Sequence, residues 1–96
     1  MHRLLAAAFG LASIAAAAVT SAEPPAGAAA CSGCHPTSAR VTSPVPRLNG
    51  LDQARIVKAM EDFRSGSRPA TVMDRISKGF SDAEIQAIAA WYASQR

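Results

Sequence analysis

The sequence predicts a small all-α domain closed around a bound group, and three observations carry that prediction. Two stretches, residues 52–66 and 80–96, repeat apolar residues at helical spacing between recognisable start and stop signals. No stretch shows a convincing period-two alternation of the kind that marks a half-buried strand. Both cysteines fall with a histidine inside five consecutive positions, Cys31, Ser32, Gly33, Cys34 and His35. The donor chemistry that staples the domain is therefore concentrated at one point.

Residues 1–22 read as a secretory signal peptide. His2 and Arg3 form a short basic segment, an alanine-rich apolar run extends from about Leu4 to Val19, and the small residues Thr20, Ser21 and Ala22 suit cleavage after Ala22. A membrane anchor is the weaker reading, because the run is short and Pro24-Pro25 follows it with nothing basic. Export implies the periplasm, with no membrane anchor after cleavage. The mature chain, Glu23–Arg96, keeps nine Lys and Arg against seven Asp and Glu, a formal charge of about +2. Its 74 residues form one domain, and a chain this short buries only roughly 60% of its unfolded surface. Such a domain usually needs a staple, and one Trp, one Tyr and two Phe are thin material for a core.

Taken in order, "AEPPAGAAA" is a flexible lead-in that turns helical near Ala28. "RVTSPVPRLNG" carries two prolines and a glycine and predicts an extended loop. In "LDQARIVKAMEDFRSG" the apolar residues Ile56, Val57, Met60 and Phe63 form an amphipathic stripe, with Asp52 as N-cap and Gly66 as stop. Pro69 and its small neighbours break the pattern, so Met73 follows a loop. The last helix is the clearest. Ser81 and Glu84 make an S-x-x-E capping box, with Phe80 and Ile85 placed as a hydrophobic staple. Asp82 and Glu84 at its start and Arg96 at its far end suit the helix dipole. Ile85, Ile88, Ala89 and Tyr92 form its inward stripe. Trp91 lies beside that stripe, more naturally a core residue than a partner contact.

Three staples compete for Cys31, Cys34 and His35. A disulfide would close a very short loop and do little for chain entropy, and a redox dithiol usually sits in a strand–helix fold. Structural zinc needs four ligands, and the mature chain offers three Cys and His. Haem fits each residue. C-x-x-C-H is the attachment pattern of c-type haem: the two thiols add to the porphyrin vinyl groups, and the adjacent His35 binds the iron. Gly33 is expected to leave room for the porphyrin edge.

The mature chain has no second histidine, so the other axial ligand is sought among Met60 and Met73. Met60 belongs to an apolar stripe, where methionine is most often filler. Met73 is loop-borne, 38 residues after His35, and free to swing over the open face. Met73 is therefore the expected ligand, since imidazole and thioether form the axial pair of cytochromes c.

The succession "CSGCH", "PRLNGL" and "FRSGSRPATVMDRISKGFSDAEIQAIAAWYA" resembles a class I c-type cytochrome. More narrowly it is similar to the cytochrome (haem) subunit of flavocytochrome c sulfide dehydrogenase and to cytochrome c4-type domains. The likeness runs from about Ala28 to Ala93, and its more specific part lies between Phe63 and Ile88. It implies an all-α class I cytochrome c fold, about three helices around one covalently attached haem c. It also implies Met73 as distal ligand and Pro46 as the residue whose backbone carbonyl meets the other ring nitrogen of His35. Pro44 competes with Pro46 for that role.

The function expected is periplasmic single-electron transfer rather than catalysis. The first setting is the cytochrome subunit of a sulfide dehydrogenase, taking electrons from a flavoprotein and handing them to a downstream acceptor. The alternative is a free-standing carrier for another periplasmic dehydrogenase or a terminal oxidase. Two further classes are a dithiol–disulfide redox protein, marked by absence of covalent haem, and a haem sensor, marked by a Met73 that does not ligate. Arg40, Arg47, Arg55, Lys58, Arg64, Arg68, Arg75 and Lys78 offer charge that steers an acidic partner. The small charge excess, with no clustered basic-aromatic surface, argues against nucleic acid.

Overall fold

The computed structural model describes residues 10–15 and 23–96; the expected leader, apart from residues 10–15, lies outside them. Among the described residues the secondary structure is helical, with no strand. The helices are α1 (Ala28–Cys31), α2 (Gln53–Ser65), α3 (Met73–Ile76) and α4 (Asp82–Ser94), with a 3-10 turn at Ser77–Gly79 between the last two. None of them is long and apolar enough to cross a membrane.

The two long helices start and stop where the sequence signals stand. Asp52 caps α2, its carboxylate accepting from the Arg55 backbone N–H at 3.3 Å. Gly66 ends it at φ +81°, a left-handed conformation that L side chains rarely adopt. At α4 both halves of the capping box are made: Glu84 N–H donates to Ser81 Oγ at 3.2 Å, and Ser81 N–H to Glu84 Oε1 at 2.9 Å. Those hydrogen bonds, the backbone one first, hold the Glu84 carboxyl below its ordinary value of 4.5. A depressed folded-state value means the cap stabilises fully above the unfolded value and loses its contribution as pH falls through the folded one. Thermal unfolding from pH 7 down to 3 should therefore show wild type losing more stability than Glu84→Gln below about pH 4.5. Equal slopes would remove the cap from that loss.

Arg96 does not serve the helix dipole as expected. Helix α4 closes at Ser94, Gln95 is already extended, and no basic residue stands in the last turn. The all-α fold expected, with about three helices, is present, and α3 adds a single turn to it. Its four residues are too short to show a period, and they lie between Pro69 and Gly79.

The core lies where α4 crosses α1 and α2. Ala28, Ile56, Ile88, Ala89 and Tyr92 form one buried cluster, with Cys31, Leu48, Leu51, Val57, Phe80 and Trp91 packed against it. The whole predicted stripe of α4 is buried. Trp91 packs as a core residue, its ring 4.8 Å from that of Tyr92 and edge-on at 84°. The Tyr92 hydroxyl donates to the Ala28 carbonyl at 2.5 Å, tying α4 to the helix that carries Cys31. Arg64 makes a second tie, from α2 to the start of α4, donating to Asp82 at 2.6 Å and to the Phe80 carbonyl at 3.0 Å. Asp82 is largely exposed, so the ionic part is worth at most about 1 kcal/mol.

Gly27 is the glycine on which the crossing depends. It precedes α1 at φ +87°, and a Cβ there would stand 2.7 Å from Phe80 Cε1. Gly27→Ala combines left-handed strain of roughly 1–2 kcal/mol with overpacking of roughly 1–3 kcal/mol. Denaturant unfolding of the holoprotein should show a loss of about 2 kcal/mol or more, and an unchanged midpoint would overturn this account.

Candidate haem site

A cavity of about 680 Å³ opens between α1, the loop that follows it, α2, α3 and α4. That volume falls within the roughly 300–1,000 Å³ of cofactor sites. Every residue to which the sequence assigned a role in holding the cofactor, Cys31, Cys34, His35, Pro46 and Met73, lines it.

The attachment segment is one continuous turn. Helix α1 ends at Cys31, whose carbonyl accepts from the N–H of Cys34 at 3.2 Å and of His35 at 2.9 Å. That winding puts Cys31 and His35 on one face, four residues apart. Neither cysteine forms a disulfide, and Cys31 is the more buried of the two. Burial pushes the Cys31 thiol up, against smaller opposing effects of hydrogen bonds from its own backbone and from Tyr92. Burial likewise raises the Tyr92 hydroxyl, helped by the neighbouring Cys31.

His35 Nδ1 lies 2.6 Å from the Pro46 carbonyl oxygen. A carbonyl only accepts, so Nδ1 carries the proton and donates. The lone pair is then on Nε2, and the hydrogen bond fixes the ring. Pro44 also lines the cavity, but the bond goes to Pro46. The loop is held by Arg47, whose Nε donates to the Thr37 carbonyl at 2.7 Å, and by the Gly50 N–H on the Tyr92 carbonyl at 2.9 Å.

Both methionines line the cavity, Met60 from the middle of α2 and Met73 from the first position of α3. Met73 thus follows a loop, as expected, and opens a helical turn. At Gly33 the nearest neighbour of a Cβ is the Ala30 carbonyl oxygen of its own turn, at 3.2 Å. Gly27, Arg64 and the Tyr92 hydroxyl are the positioning groups that sequence reading missed. Gly27 was hidden in a lead-in read as flexible, and the contacts of the other two join distant segments.

Two adjacent thiols, an imidazole with a fixed free nitrogen, two thioethers and an otherwise largely apolar wall suit a covalently held haem. The domain they define is a small all-α c-type cytochrome. No family model matches the chain. It is 33% identical over 69 residues to cytochrome c-554(548) of Halomonas halodenitrificans, covering 68% of the chain and 83% of that protein. It is 39% identical over 64 residues to the cytochrome subunit of sulfide dehydrogenase of Chlorobaculum tepidum, covering 67% of the chain and 58% of that protein. Cytochrome c4 of Pseudomonas aeruginosa is 34% identical over 88 residues, 91% of the chain and 44% of that protein. The chain thus spans about three fifths of one of these relatives and under half of another. It belongs to the class I c-type cytochromes and carries haem c.

Proposed function

We propose that the chain is the haem subunit of a flavoprotein sulfide dehydrogenase, exported to the periplasm by residues 1–22. The observation that carries this is the 39% identity to a sulfide dehydrogenase cytochrome subunit. Cys31 and Cys34 would hold the haem by thioethers, His35 Nε2 and Met73 Sδ would ligate its iron, and the Pro46 carbonyl keeps the His35 proton on Nδ1. When bound, the haem supplies one-electron chemistry between ferric and ferrous iron. The chain orients the imidazole through the Pro46 carbonyl, and the apolar residues of α2 and α4 on the cavity wall exclude water from the chamber that would hold the haem.

A free-standing carrier has one observation in its favour, the 83% coverage of cytochrome c-554(548), whose name attaches it to no dehydrogenase. The two readings differ in their interfaces. A permanent subunit buries on the order of 2,000 Å² or more of rather apolar surface, whereas a transient carrier uses a charge-rimmed, salt-sensitive patch. Lys58 and Arg64 contribute little to such a patch, since they are paired with Asp62 and Asp82. Native purification at moderate salt decides. Recovery with a flavin-containing chain and haem reduction on adding sulfide support the subunit. A lone monomer with no flavin and no response to sulfide leaves the free carrier.

A further inference from the structure

Two ionised side chains stand on the cavity wall, Arg55 and Arg68, and no Asp, Glu or Lys joins them there. Haem brings an apolar macrocycle and two propionate carboxylates on one edge. A carboxylate entering an apolar chamber must meet a donor or reach water. The wall therefore matches the carboxylates with fixed cations, since a guanidinium does not deprotonate in a protein.

The two arginines serve opposite ends of α2. Ten residues of helix from Arg55 to Ser65 advance the chain roughly 15 Å, while the two carboxylates leave the same edge of the macrocycle. One end of α2 faces them. Arg68 is already engaged at the C-terminal end: its guanidinium lies 4.9 Å from the Phe63 ring centroid, and its backbone N–H donates to the Asp62 carbonyl. Arg55 has no such engagement. Among the described residues its guanidinium makes no ion pair and donates to no carbonyl or side chain. Asp52, the acid nearest to it in sequence, accepts instead from the Arg55 backbone N–H. Asp62 is taken by Lys58, and Asp82 by Arg64.

We propose that Arg55 binds a haem propionate, neutralising its charge beside the iron. The proposal rests on the cavity being the haem chamber. A guanidinium fork meets a carboxylate through two parallel charge-assisted hydrogen bonds. An uncompensated carboxylate near the iron favours the ferric state, so Arg55 raises the reduction potential. It is a binding residue for the cofactor's edge and takes no part in ligating the iron.

The test compares Arg55→Gln, Arg55→Lys and Arg68→Gln as purified holoproteins. Arg55 is exposed apart from its cavity contact, so its variants should fold. Arg55→Gln should keep covalent haem and the near-infrared Met–iron(III) band, lower the potential, and shift the propionate methylene proton resonances. Arg55→Lys should restore most of the potential. Arg68→Gln removes the same charge from the same wall and should leave the propionate resonances nearly in place. Unmoved propionate resonances in Arg55→Gln, or a shift in Arg68→Gln in their stead, overturn the proposal. Haem extracted from the wild-type chain by acid acetone overturns the covalent attachment to Cys31 and Cys34, which is a separate result.

Discussion

Cys31→Ala/Cys34→Ala without haem should leave the chain largely unfolded. The native core cluster is five residues, two of them alanines, and Tyr92 is its one aromatic member. Around it stands a cavity of about 680 Å³ whose wall is mostly apolar. At the ~24 cal/mol per Å³ measured for residual cavities, an enclosed void of that size would cost about 16 kcal/mol. That exceeds the roughly 5–15 kcal/mol by which a whole domain is stable. The chain escapes the cost by collapsing or by unfolding, and neither preserves the fold. The covalent cofactor fills the space, and by binding only the native state it adds its own binding free energy to stability. The check is a proton NMR spectrum of the double variant. Narrow dispersion is expected, and a well-dispersed spectrum would contradict the staple argument. Cys34→Ala alone should retain at most one thioether and mature poorly.

Local chemistry made the long helices legible. Asp52, Gly66, Ser81 and Glu84 each act within four residues of their own position, so the string that names them also names their partners. The stripe of α4 was readable for the same reason, since a period of 3.6 places Ile85, Ile88, Ala89 and Tyr92 on one face without reference to any other helix. The attachment segment was readable because thioether chemistry and ligation demand fixed spacing along the chain.

What stayed hidden depends on segments far apart. Gly27 is required by the ring of Phe80, more than fifty positions away in sequence. The Tyr92 hydroxyl meets Ala28 at a separation of 64 residues. Neither pairing has a local signature. Helix α3 was missed for a different reason: one turn flanked by proline and glycine is below the length at which a period can be seen.

Met73→Ala should abolish the near-infrared Met–iron(III) charge-transfer band and lower the reduction potential. A thioether opposite an imidazole raises the potential of a c-type haem, so its loss, with water or nothing in its place, favours the ferric state. The position of the side chain suits the role. Met73 stands at the first turn of α3, preceded by a non-helical run from Arg68 to Val72 that also lines the cavity. Such a run can adjust to bring sulfur to iron at little cost. Met60 reaches the same cavity but sits in the middle of the thirteen-residue α2, whose backbone is fixed at both ends by Asp52 and Gly66. Met60→Leu is a near-isosteric swap. It should leave the band in place and change stability by less than about 1.5 kcal/mol. The two variants together give the assignment a direct check, because each predicts the opposite outcome for the same band. If Met60→Leu removes it and Met73→Ala does not, the axial ligand is Met60, and α2 rather than α3 carries the distal side of the site.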